Sequence, residues 1–213
     1  VSCWGINTSG TLTAPNNNGL NHRNRPLLAY GLMGAPIRTL DLDALGNATC
    51  AVAENGDVIC WGAGYGVYPV AQAGIADARQ VRMGAAHTCA RLANRSVRCW
   101  GTGTSGQLGN AASLNSTTPV EVSGLFLVEE IGVGASHSCG RRADGTVWCW
   151  GFGTSGQLGN GMAVSSNVPR QVTGITTAVQ LAISGSHSCA RLADNSVGCW
   201  GLNGNGAFGN GMT

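Results

Sequence analysis

Apolar residues in this chain fall in short runs, separated by glycine-rich or Asn/Asp-containing turns. Residues 137–142 and 147–150 flank Ala143-Asp144-Gly145, and the same turn position holds Glu54-Asn55-Gly56, Ala93-Asn94-Arg95 and Ala193-Asp194-Asn195. Asn-Gly and Asp-Gly between apolar flanks are strong hairpin signals. In the last complete unit, Pro169-Arg170-Gln171-Val172, residues 178–183, the stretch from His187 and Ser196-Val197-Gly198-Cys199-Trp200 predict further strands. No ten-residue window holds a 3.6-residue period without a glycine interruption, so helix is expected to be nearly absent.

The pattern repeats. HSCGRRADGTVWCWGFGTSGQLGN at 137–160 has close copies at 87–110 and 187–210, a divergent copy from Ala48 and half a copy at the start. Cys-Trp-Gly triplets begin at Cys3, Cys60, Cys99, Cys149 and Cys199. Self-similarity at such a period marks a repeat architecture. The units run 1–57, 58–96, 97–146 and 147–196, with a partial unit 197–213. The first contains an atypical stretch, 14–45, in which 15–24 reads as a polar loop and 25–30 as a strand. The second is short because the GTSGQLGN-type loop is missing after Gly66. Four short strands per regular unit match one blade of a β-propeller. The expected fold is therefore all-β, a propeller of four-stranded blades. Both ends carry the same part of the repeat, so the sequence is expected to be a window on a longer polypeptide.

Eight of the nine cysteines form four C-x9-C pairs, Cys50/Cys60, Cys89/Cys99, Cys139/Cys149 and Cys189/Cys199. With a three-residue hairpin loop, Leu92 faces Ser96 as the closing pair. Counting back three positions sets Cys89 opposite Cys99 at a non-hydrogen-bonded pair, where Cα atoms approach to about 4.5 Å. That spacing is what a cross-strand disulfide requires. Zinc and reduced core cysteines are the competing readings, but zinc favours C-x2-4-C knuckles. Disulfides imply an oxidising compartment: extracellular, periplasmic or cell surface. Cys3 occupies a second-cysteine position, and its partner is expected ten residues upstream, before Val1.

Composition narrows the function classes. Charged residues are 10% of the chain, with 12 arginines, no lysine and a formal charge of +2. That is too little to argue for a nucleic-acid partner, which needs a basic face. No run of 18 apolar residues exists, so no membrane span is readable.

At the repeat the residues resemble a known family. The pattern V-x-C-W-G-x-N/G-x-x-G-Q-L-G-N, then Pro-x-x-V, then G-x-x-H-[ST]-C-A-x-L, looks like the repeat of the regulator of chromosome condensation family. The resemblance covers essentially the whole chain and is weakest at 14–45. It implies a seven-bladed ring, of which about four blades lie here. The paired cysteines depart from the nuclear protein and resemble the disulfide-bearing type of secreted bacterial proteins.

Candidate chemistry divides into repeated and unrepeated residues. His87, His137 and His187 recur at blade period, which favours a structural role, each ring bonding to backbone within its own blade. A metal site around the propeller axis is the sharper alternative, and no acidic residue recurs to build a catalytic triad. Trp4, Trp61, Trp100, Trp150 and Trp200 are expected to fill the space between blades, with sugar stacking as the alternative. The glycine-rich loops lack G-x-x-x-x-G-K-[ST], and no acidic series suggests calcium. No cofactor, metal or catalytic residue is therefore assigned. Function is expected where units differ, since repeated positions maintain the scaffold. Those positions are Tyr30, Tyr65 and Tyr68 (the last two placed in the shortened loop), Phe126 and Trp148. The leading expectation is a non-enzymatic, extracytoplasmic protein-binding scaffold. The alternatives are a structural or accessory subunit of a surface assembly, a guanine-nucleotide exchange factor-like propeller and a glycan binder.

Overall fold

The computed structural model describes residues 2–6, 22–28, 32, 36–42 and 47–212. Apart from one three-residue 3-10 turn at Gly204–Gly206, all regular structure among them is β-strand. Strands β1 (Ser2–Ile6) and β2 (His22–Leu28) form a two-stranded sheet. Three four-stranded sheets follow: β3 to β6 (Ile37–Leu42, Ala48–Ala53, Val58–Gly62, Gly66–Ala71), β7 to β10 (Ala78–Met83, His87–Leu92, Val97–Gly101, Ser116–Glu121) and β11 to β14 (Val128–Val133, His137–Arg142, Val147–Gly151, Ser166–Gln171). The last sheet holds β15 (Ala178–Ile183), β16 (His187–Leu192) and β17 (Val197–Gly201). Every sheet is an antiparallel meander in chain order, the blade of a β-propeller.

Local sequence explains the hairpins. Leu92 N donates to Ser96 O (2.9 Å) and Arg95 N to Leu92 O (3.0 Å), with Arg95 left-handed at φ 65°. Gly145 takes that position one blade later, at φ 80°. This is a type I turn followed by a left-handed residue, the usual closure of a three-residue loop. Counted from the turn, Cys89 meets Cys99, and each of the four cysteine pairs is a disulfide with Cα atoms 4.1 Å apart. One strand begins earlier than the sequence suggests. His22 and Arg23 already pair with Ile6 and Gly5, because β1 supplies an edge for them, so 22–24 are strand and not loop.

A sequence unit counted from Cys-Trp-Gly straddles two sheets. Unit 147–196 gives β13 and β14 to one blade and β15 and β16 to the next. Apolar burial lies at those junctions. Trp100 packs with Cys50 and Cys60 of the preceding blade and Val81 of its own, and Trp150 and Trp200 repeat the arrangement. Trp61 packs with Ala51 and Leu32, against which Cys3 lies. Burying an indole contributes a large apolar area, so the same ring recurs wherever the same gap recurs.

The first strands of neighbouring blades are tied directly. Gln80 spans to β11 twice, accepting from Ile131 N (2.9 Å) and donating to Ile131 O (3.2 Å). Glu130 accepts from Leu181 N at 3.1 Å, and Asp41 from Met83 N at 2.8 Å. Three of the hairpin turns also supply a carbonyl to the next first strand: Gly56 to Ala78 N, Arg95 to Val128 N and Gly145 to Ala178 N.

Candidate functional site

His87 and His137 reach across the blade junction and not to backbone within their own blades. His87 Nε2 lies 2.8 Å from Ser138 Oγ, and His137 Nε2 lies 2.8 Å from Ser188 Oγ. The partner is therefore the hydroxyl beside the next blade's histidine, 51 residues on. A Cβ at Gly134 would fall 2.6 Å from His137 Nδ1, so only glycine leaves room for the ring. Burial depresses the His87 pKa to about 3 and the His137 pKa to about 4, with the next histidine adding to the effect. Both rings are neutral junction pieces, and among the described residues no group of His, Cys, Asp and Glu is placed to hold a metal ion.

One junction departs from this rule. Ala48 stands where a histidine belongs, and the loop that would supply a carbonyl to Trp100 is missing. In the regular blades Trp150 Nε1 donates to Gln107 O (2.8 Å) and Trp200 Nε1 to Gln157 O (3.0 Å). Tyr65 fills both vacancies. Its hydroxyl accepts from Trp100 Nε1 at 2.9 Å and lies 3.2 Å from Thr88 Oγ1. A cavity of about 470 Å³ remains beside it, lined by Ala48, Tyr65, Met83, His87, Thr88 and Trp100. Its size is in the range of small-molecule sites. The Tyr65, Thr88 and Trp100 polar atoms already satisfy one another, whereas His87 Nδ1, on the same lining, is buried without a hydrogen-bond partner. Tyr68 lies on the outer strand β6, not in the shortened loop, and is 52% exposed. Tyr30 lies outside the described residues.

Phe126 and Trp148 come together. Arg142 stacks over both rings, 4.7 Å from the Phe126 centroid and 5.9 Å from that of Trp148, and its Nε donates to Phe126 O at 3.2 Å. Trp148 is half-buried and donates to Thr146 Oγ1 (3.1 Å), while Phe126 and Leu127 are 56% and 47% exposed. All of these positions break the repeat. Where this blade has Phe126, Leu127, Arg142 and Trp148, the preceding one has Ala76, Asp77, Leu92 and Arg98, and the following one Thr176, Thr177, Leu192 and Gly198. Leu127 also sits at φ 56°, a left-handed conformation that suits Asp77 (φ 57°) far better than a leucine. Strain and exposed apolar surface coincide with the loss of the repeat, a combination that marks functional surfaces. Arg142 was not singled out from sequence. The available signal was an arginine in a column that otherwise holds Ala53, Leu92 and Leu192.

Comparison with known proteins fits this architecture. The regulator of chromosome condensation (RCC1) repeat matches at 96–140 and 144–191, and a second model of the same repeat at 78–107, 128–157 and 178–207. Together they span 78–207, more than half of the chain. Human WBSCR16 superposes with a TM-score of 0.82 at 19% identity, over 98% of this chain and 58% of that one. Yeast RCC1 (Prp20), solved with Kap60 bound, gives 0.77 at 23% identity, over 93% and 51%. The ectodomain of the Physcomitrella patens receptor kinase CR4 gives 0.60 at 21% identity, over 94% and 46%. This chain thus spans about half the length of these structures, and at such identities they share its fold. Comparison with curated proteins finds no match. Repeat, blade and junction agree: the chain belongs to the regulator of chromosome condensation (RCC1) repeat family.

Proposed function

We propose that this chain is a non-enzymatic, protein-binding propeller of an oxidising, extracytoplasmic compartment. Its blades act as a stapled scaffold, and one blade presents Phe126, Leu127, Arg142 and Trp148 to a macromolecular partner. The observation that carries the reading is the convergence of four unrepeated residues on one exposed corner of a repetitive scaffold. Aromatic rings and arginine are the usual anchors of protein interfaces. Four disulfides support the compartment, since such bonds persist where thiols are not kept reduced. The disulfides also weigh against exchange-factor activity in a nucleus or cytosol.

Photo-crosslinking tests the reading. A photoreactive side chain at position 127, exposed to the extracytoplasmic fraction of the source, is expected to give a discrete protein adduct. The same group at the exposed Leu114, on another loop, is expected to give none. Equal labelling from both positions would remove the proposal.

A further inference from the structure

The corner that carries Phe126 is also where the chain's positive charge collects. Arg141 and Arg191 hold the same strand position in successive blades and reach across their own sheets, Arg141 Nε to Glu130 (3.2 Å) and Arg191 Nε to Gln180 (3.3 Å). Arg91 is their equivalent, opposite Gln80. The Gln80 amide is turned to Ile131 of the next blade, and Arg91 Nε is left buried with no hydrogen-bond partner.

Its surroundings do not compensate. Burial lowers the Arg91 pKa; Glu129 opposes this, while Arg95, Arg79 and Arg141 add to it. Glu129 is itself engaged by Arg95 at 3.0 Å. Arg95 O receives Val128 N, directly after Leu127, and Arg142 closes the other side of the same segment through Phe126 O. Arg91, Arg95, the 126–128 segment and Arg142 are thus linked in series. Five arginines (79, 91, 95, 141 and 142) face three carboxylates (Glu129, Glu130 and Asp144), a surplus equal to the +2 of the whole chain.

We propose that this corner receives an extended acidic segment of a partner protein, with carboxylates on Arg91, Arg95 and Arg142 and an apolar side chain against Phe126 and Leu127. The proposal rests on the protein-binding reading above and names the chemistry of the partner. Guanidinium groups pair with carboxylates in bidentate fashion, and an under-compensated cluster gains most from an incoming anion. Arg91, whose Nε alone among the three equivalent arginines has no hydrogen-bond partner, makes the recognition specific to this blade.

The test uses the whole chain and a labelled peptide of Asp and Glu residues flanking one Phe, with its Asn/Gln counterpart as control. Fluorescence anisotropy at low salt is expected to show the acidic peptide binding roughly tenfold or more tightly, the gap narrowing as salt screens the charges. Arg91→Met keeps the aliphatic stem and is expected to lose most of that gap. Phe126→Ala is expected to weaken both peptides. Near-UV circular dichroism checks that each variant keeps its packing. Equal affinity for the two peptides, an unchanged gap in Arg91→Met, or a sulfated oligosaccharide binding more tightly than the acidic peptide would each overturn the acidic-partner assignment. If the position-127 crosslink captures a protein while the peptides bind alike, only this inference falls; if that crosslink also fails, the binding reading falls with it.

Discussion

His137 Nε2 and Ser188 Oγ meet at 2.8 Å across the junction between two blades, and His87 and Ser138 repeat the contact one blade earlier. Two successive junctions are therefore each fastened by a neutral imidazole in a buried slot. Because folding holds these rings far below the ordinary imidazole pKa, the unfolded chain binds protons that the folded chain does not. Stability is then fully present above about pH 6.5 and falls as pH drops, down to about 4 for His137 and about 3 for His87. Unfolding free energies from urea titrations at pH 7.5 and downward are expected to fall below pH 6.5, at roughly 1.4 kcal/mol per pH unit for each ring. His137→Gln should remove about half of these two rings' contribution to that slope. A flat profile would contradict the junction role.

Tyr65 replaces two groups at the irregular junction, so its loss should be felt at both. Tyr65→Phe leaves the Trp100 N–H and the Thr88 hydroxyl without their partner and is expected to cost about 1–3 kcal/mol in denaturant titration. Ala48→His alone should destabilise, because the Tyr65 ring already fills the slot. In a Tyr65→Ala background the new histidine has room to reach Thr88. A double-mutant cycle should then show favourable coupling of about 1 kcal/mol. Strict additivity would mean that Tyr65 does not occupy the histidine's place.

The disulfides make a plain thiol count decisive. Among the described residues Cys3 is the free cysteine, half-buried and with its thiol pKa raised by burial. Alkylation in denaturant without reductant is expected to label one cysteine, and nine after reduction. Removing the Cys139–Cys149 bond by double serine substitution should cost about 2–3 kcal/mol, the loop entropy of so short a closure. Labelling of all nine without reductant would remove the compartment argument.

What was legible in the sequence was local. C-x9-C around an Asn-Gly or Asp-Gly turn fixes a hairpin register, and the register sets both sulfurs side by side. The junction tryptophans were legible for a related reason: a large ring that recurs with the period needs a gap that recurs with it. The partners of His87 and His137 were not. A hydrogen bond to a hydroxyl 51 residues away depends on how two sheets abut, and the short-range pattern suggested the blade's own backbone instead. Tyr65 stood out as a loop aromatic, yet its role depends on two absences elsewhere, the histidine at 48 and the loop after Gly66. Phe126 and Trp148 were visible as unrepeated rings, but nothing along the chain shows that Arg142 joins them.

The most direct test of the binding corner is a chain in which it is returned to the repeat, with Phe126→Ala, Leu127→Asp, Arg142→Leu and Trp148→Arg. These are the residues the preceding blade carries at the same positions, where Asp77 tolerates the left-handed backbone and Arg98 donates to Gly74 O (3.0 Å). Such a chain is expected to match the wild type in thermal midpoint and circular dichroism. Capture of the protein found by the position-127 crosslink, measured by quantitative pull-down, is expected to drop at least tenfold. Undiminished capture by the folded variant would contradict the account.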